Sequence, residues 1–109
     1  MSVKLKHISE QVIVITGATS GIGLSTARMA AGQGARLVLA ARADDALAHL
    51  AEELGSLGAE VVTVTADVGN VDEVARIGDA AIERFGRIDT WINNAGISIF
   101  GRLEDVSPE

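Results

Sequence analysis

Four short apolar runs constrain this chain more than any other feature. They span Val12 to Thr16, Leu37 to Ala41, Val61 to Thr65 and Ile88 to Asn93. Apolar residues at consecutive positions suit strands buried on both faces of a parallel sheet. Successive runs begin roughly 25 residues apart, which is room for a strand, a loop and a crossover helix. The intervening segments carry helical patterning. Leu47, Leu50, Leu54 and Leu57 make one apolar stripe, and Val74, Ile77, Gly78, Ala81, Ile82 and Phe85 make another. A first helix is expected to start near Gly21 and to run through Ile22, Ala27, Ala30 and Ala31, a face of mostly small residues that sits close to a sheet.

The helix ends agree with this division. Asn70, with Glu73 three positions on, reads as a capping-box-like start. Gly34, Gly58 and Gly86 precede the second, third and fourth runs, where a left-handed residue stops a helix. Repeated right-handed βαβ units imply an α/β fold, a doubly wound parallel sheet with strand order 3-2-1-4. The chain crosses over between strands one and four, and ligands of such sheets bind at that switch point. The 109 residues form one domain. Aromatic residues are only 3%, so aliphatic side chains and alanine must fill the core.

Composition excludes several functions. A net charge of -6 argues against a general grip on nucleic acid or on anionic membranes. With no Cys there is no disulfide, thiolate chemistry or cysteine zinc site, which fits a reducing cytoplasm. No segment reads as a secretory signal or a membrane span. Asp45 and His49 stand one helical turn apart, but two ligands do not make a metal site. The pairs Glu52-Glu53, Asp72-Glu73 and Glu104-Asp105 read as solvated faces, His49 as a solvated helix residue and Trp91 as core or interface.

The chemistry-bearing segment follows the first strand: Thr16-Gly17-Ala18-Thr19-Ser20-Gly21-Ile22-Gly23. Gly17 lets the chain turn sharply out of the strand. Gly21 and Gly23 allow close approach of a ligand and packing of the helix on the sheet. The helix N-terminus presents free N–H groups and partial positive charge, which suit a pyrophosphate, and Thr19 and Ser20 add hydroxyls. A glycine-rich turn without a ligand is the plainer alternative, weakened by the strand before and the helix after.

This spacing resembles the cofactor loop of the short-chain dehydrogenases/reductases. Ala66-Asp67-Val68 after the third run and Asn93-Asn94-Ala95-Gly96 after the fourth match further motifs of that family in order, and the resemblance extends from about Glu10 to Glu109. It implies a Rossmann-like domain that binds a nicotinamide dinucleotide. Gly17, Thr19, Ser20, Gly21, Ile22 and Gly23 would lie along the phosphates. Asp67 would accept from the adenine amino group, with the Val68 backbone against the ring. Asn94, Ala95 and Gly96 would line the adenine ribose and steady the sheet. A homo-oligomer is expected.

The second run ends in Ala41 and Arg42, where an NAD enzyme usually carries an acid for the ribose diol. A guanidinium cannot accept from a diol but clamps a 2′-phosphate, so NADP(H) is favoured over NAD(H). The alternative is an exposed Arg42 paired with Asp44 or Asp45.

The resemblance also implies a catalytic Tyr, a Lys four residues later and a Ser, acting on a carbonyl or alcohol substrate. This sequence has no Tyr, and its only lysines are Lys4 and Lys6. No catalytic residue is therefore assigned. Ser107-Pro108-Glu109 reads as the start of a further helix, so the chain is expected to be the cofactor-binding part of a longer domain, truncated after strand four and inactive alone. Its fourth strand would then be an open, self-associating edge. Two other readings compete: a non-catalytic nucleotide-binding or regulatory module, and a different nucleotide fold such as a methyltransferase, against which Arg42 argues.

Overall fold

The computed structural model describes residues 7–94. A 3-10 turn at Ile8–Glu10 leads into β1 (Val12–Thr16). Then come α1 (Gly21–Gly32), β2 (Arg36–Ala41), α2 (Asp44–Ser56), β3 (Val61–Thr65), α3 (Val71–Phe85) and β4 (Thr90–Asn93). All strands are parallel, in the order β3-β2-β1-β4. The chain steps outward from β1 through β2 to β3, then returns past β1 to lay down β4. That reversal, with crossovers of one hand, puts α1 and α2 on one face of the sheet and α3 on the other.

Two cores result, one per face. Ile13, Ile15, Leu37 and Leu39 meet Ala27, Ala30 and Ala31 of α1 and Leu47, Leu50 and Leu54 of α2. Val14, Val38, Ala40 and Val64 meet Ile77 and Ala81 of α3. The split follows from strand pleating, since successive side chains point to opposite faces. The buried face of α1 is made of small alanines and that of α2 of leucines. Truncating a fully buried residue such as Leu54 to Ala would cost about 2–5 kcal/mol.

Burial is less even than the apolar runs suggest. β1 is buried throughout, but Thr63 and Thr65 of β3 and Trp91 and Asn93 of β4 are exposed, because among the described residues β3 and β4 form the sheet's two edges. Leu57 follows the end of α2 and is exposed, and Ile82 lies outside the buried stripe of α3. Leu37 N donates to the Glu60 carbonyl and Ala66 N to the Ala41 carbonyl. Even-numbered residues of β3 thus face β2, and Val61, Thr63, Thr65 and Asp67 turn their backbone outward. Side chains of α3 occupy two of those outward groups. Arg76 Nη2 donates to the Thr65 carbonyl at 3.0 Å, and Glu73 Oε1 accepts from Asp67 N at 2.7 Å.

The expected helix boundaries are present. The Asn70 side chain accepts from the backbone N of Asp72 and of Glu73. Glu73 does not reach back to Asn70, as a reciprocal capping box would require; its carboxylate goes to Asp67 N. Gly86 closes α3 in the left-handed region with φ +84°, its N–H bonded to the Ile82 carbonyl. The fourth strand begins at Thr90, two residues later than its apolar run, because Arg87 and Asp89 tie the preceding loop to the start of β1. Val12 N donates to Asp89 Oδ2 at 2.8 Å, and Arg87 donates to both Asp89 and the Glu10 carbonyl. Among the described residues no helix is long and apolar enough to cross a membrane.

Glu53 is not merely a solvated acid. Arg28 of α1 grips it from two nitrogens, Nε to Oε2 at 2.8 Å and Nη2 to Oε1 at 3.0 Å, linking α1 to α2. The hydrogen bond from Arg28, helped by its charge, holds the Glu53 carboxyl below the usual carboxylate range. A depressed folded-state pKa means the contribution is present above the unfolded carboxylate pKa and is lost as pH falls through the folded one. The pair is exposed, so the effect is small. Glu53→Gln is expected to lower the melting temperature slightly at neutral pH, with the gap to wild type closing on acidification. Calorimetry across that range checks it; a gap that widens in acid would contradict the assignment.

Candidate cofactor site

In an all-parallel sheet the strands' carboxyl ends share one side, and every described residue expected to bind a ligand lies just past one of them. The glycine loop follows β1, Arg42 follows β2, Asp67 follows β3 and Asn94 follows β4. Ala95 and Gly96 lie outside the described residues.

The glycine loop is held from three directions. Ala18 is fully buried, and its N–H donates to the Ala40 carbonyl of β2. Thr16, also fully buried, donates from Oγ1 to Asn93 Oδ1 at 2.7 Å, joining the tips of β1 and β4. Asn94 Nδ2 donates to the Gly17 carbonyl at 3.1 Å. Gly17 turns out of β1 with φ +64°, and Gly21 opens α1 with φ +57°. Gly23 serves the close packing of α1 that its spacing suggests. A Cβ there would stand 2.2 Å from the Gly17 oxygen and 2.7 Å from Asn94 Nδ2. Its lack of a side chain lets α1 press on the loop's own first turn and on the β4 tip.

The start of α1 remains open to a ligand. Ser20 is the N-cap residue in extended conformation, but its side chain caps no backbone N–H, and the first turn holds no acid. The Ser20 hydroxyl and the first-turn N–H groups are thus available to an anion. Ile22 projects from this turn and is 71% exposed, an unusual setting for a large aliphatic residue in so small-faced a helix.

Arg42 is exposed at the β2 tip, and no carboxylate among the described residues pairs with it. Neither expected competitor, Asp44 or Asp45, pairs with it, and Asp44 is engaged elsewhere: Thr65 Oγ1 donates to Asp44 Oδ1 at 2.8 Å. Asp67 is fixed at three atoms. Its N–H donates to Glu73, its carbonyl accepts from Asn70 N at 3.0 Å, and its Oδ1 accepts from Gly69 N at 2.8 Å. Oδ2 has no hydrogen-bond partner among the described residues and is placed to accept from a ligand's amine. Val68 packs on the α3-side core, which anchors the next residue of this loop. No metal-binding cluster occurs among the described residues, so Asp45 and His49 acquire no third ligand.

Sequence reasoning missed the supports of this site. The Asn70–Glu73 spacing was visible, but not that Glu73 would hold Asp67. The hydroxyl of Thr65 gave no signal, being one of several threonines in a β-branched run.

Comparison with known proteins agrees with the geometry. The sequence model described as short chain dehydrogenase matches residues 11–109. The chain is 56% identical over 106 residues to the uncharacterized oxidoreductase YxnA of Bacillus subtilis, covering 97% of this chain and 30% of that protein. A short-chain dehydrogenase/reductase from Burkholderia phymatum, solved in complex with NAD, superposes with TM-score 0.77 at 40% identity, over 80% of this chain and 31% of that one. L-sorbose reductase from Gluconobacter frateurii, solved with NADPH and L-sorbose, gives TM-score 0.75 at 40% identity, over 79% and 33%. The chain thus spans about a third of each protein it matches here. With the family model matched over residues 11–109 and the strand order shared with these structures, the chain belongs to the short-chain dehydrogenases.

Proposed function

We propose that these residues are the cofactor-binding part of an NADP(H)-preferring oxidoreductase that interconverts a carbonyl and an alcohol. The observation that carries this reading is Arg42, an exposed guanidinium at the β2 tip where an NAD enzyme places an acid, with no carboxylate among the described residues paired to it. A guanidinium matches a phosphate with two parallel hydrogen bonds and offers a ribose diol no acceptor. Solved relatives include one complex with NAD and one with NADPH, so the family accommodates both and the choice rests on local chemistry.

The residues present fit such a cofactor. The Gly17–Gly23 backbone and the hydroxyls of Thr19 and Ser20 would hold the pyrophosphate at the uncapped start of α1, with exposed Ile22 alongside. Arg42 would take the 2′-phosphate. Asp67 would accept from the adenine amine, with Val68 against the ring, and Asn94, Ala95 and Gly96 would line the adenine ribose. When bound, the nicotinamide supplies or accepts the hydride. The chain's own contribution is to bind and orient; with no Tyr in the sequence, the proton-transferring group expected of the family has no counterpart in residues 1–109. Residues 1–109 are accordingly read as one part of a larger catalytic domain.

In the intact protein, Arg42→Ala is expected to weaken NADP(H) binding by about tenfold or more, the scale of charge-assisted hydrogen bonds, and to spare NAD(H). Fluorescence titration with both dinucleotides tests this; equal weakening of both would overturn the assignment. The two loop glycines should also separate. Gly21→Ala meets no neighbour but keeps a left-handed φ, at a cost of about 1–2 kcal/mol. Gly23→Ala drives a methyl into the Gly17 carbonyl and Asn94, and should cost about 3 kcal/mol or more and abolish dinucleotide binding. Urea unfolding with parallel titration distinguishes them; similar losses at both positions would contradict the Gly17–Gly23–Asn94 contact.

A further inference from the structure

We propose that Thr65 and Asp44 form a specificity device for the phosphate site, in which the Thr65 hydroxyl holds the Asp44 carboxylate away from Arg42. The proposal rests on the reading of Arg42 as the 2′-phosphate ligand. Asp44 stands two residues past Arg42, in the first turn of α2, and is the nearest carboxylate in sequence. Left free, it would either pair with the guanidinium or stand as a negative charge beside a dianionic phosphate. Both outcomes oppose NADP(H), whereas NAD(H), which has no 2′-phosphate, meets no such loss.

The fold supplies the hydroxyl that prevents this. Strand register sets Thr65 opposite Ala41, the residue before Arg42. From there Oγ1 donates to Asp44 Oδ1 at 2.8 Å. The donor is well located for an exposed residue. Thr65 is β-branched, so few rotamers are open to it. Its carbonyl accepts from Arg76 Nη2, which adds a contact from α3 to the strand just where the hydroxyl projects. Thr65 is exposed on an edge strand, and the bond to Asp44 gives its hydroxyl a partner.

Four variants of the intact protein test the device: Thr65→Val, Asp44→Asn, the double variant and Arg42→Ala. Dissociation constants for NADP(H) and NAD(H) are measured by fluorescence titration, with melting temperatures as the folding control. Valine keeps the branched shape and the strand preference at Thr65, so the fold should survive. Thr65→Val is expected to weaken NADP(H) by roughly three- to tenfold, the scale of one exposed hydrogen bond or ion pair, and to leave NAD(H) within about twofold. The double variant, lacking the released charge, should recover wild-type NADP(H) affinity. A purely structural role for Thr65 would shift both cofactors together and would not be rescued by Asp44→Asn. Selective loss of NADP(H) in Arg42→Ala with no effect of Thr65→Val overturns this proposal alone. Equal loss of both cofactors in Arg42→Ala overturns the Arg42 reading, and the device with it.

Discussion

The strand-tip side of this domain, with its candidate cofactor site, depends on one contact, the meeting of Gly17, Gly23 and Asn94. Three elements converge there: the exit of β1, the first turn of α1 and the exit of β4. The Asn94 amide donates to the Gly17 carbonyl, and Gly23 lies so near both that no side chain fits between them. The sheet order makes the contact possible, because β4 returns beside β1 only after the chain has reversed direction across the sheet. The loop shape that bares the α1 N-terminus is therefore set by a residue 77 positions away in sequence. Loss of that residue or of the glycine would disturb the anion site without touching either hydrophobic core.

The arrangement also explains which parts of the molecule could be read in advance. Burial on both faces leaves a plain trace in sequence, so β1 and β2 announce themselves, and the βα rhythm forces the order of the strands. The glycine stops and the Asn70 cap are local chemistry and were equally legible. What failed to show was anything decided by position at an edge. The apolar run Val61 to Thr65 does not reveal that its threonines face water, nor do the helical stripes reveal that Leu57 falls past the end of α2 and that Ile82 lies outside the buried face of α3. Side-chain polar contacts were invisible because residue type does not name the partner. Glu53 and Glu73 look alike in sequence, yet one meets Arg28 across two helices and the other holds the backbone of Asp67. The contribution of Ala95 and Gly96 rests on the family motif alone, since both lie outside the described residues.

Asp67 shows how an exposed site residue is kept in place at little cost. Three of its polar atoms are bonded within a segment of seven residues, Asp67 to Glu73. Asn70 caps α3 and also donates to the Asp67 carbonyl, so the helix start and the strand exit fix one another. An exposed carboxylate on a free loop would lose side-chain and backbone entropy on meeting a ligand. Here most of that ordering is already done by the fold, and the proposed recognition by the other carboxylate oxygen would need little more.

The same economy separates the two halves of cofactor recognition. The proposed pyrophosphate site would use backbone N–H groups beside the Gly17–Gly23–Asn94 contact, where a side chain at Gly23 has no room. The β2 tip is different. Arg42, Asp44 and Thr65 are exposed side chains outside both cores, and their exchange would leave the sheet and its helices intact. A fold organised in this way can keep one dinucleotide grip while the choice between a ribose hydroxyl and a phosphate is set by a few surface residues. Known structures of the family fit that division, with similar backbones found around both NAD and NADPH. On the proposed reading the discriminating chemistry would be electrostatic and local: a positive group at the β2 tip, with neighbouring carboxylates kept from neutralising it.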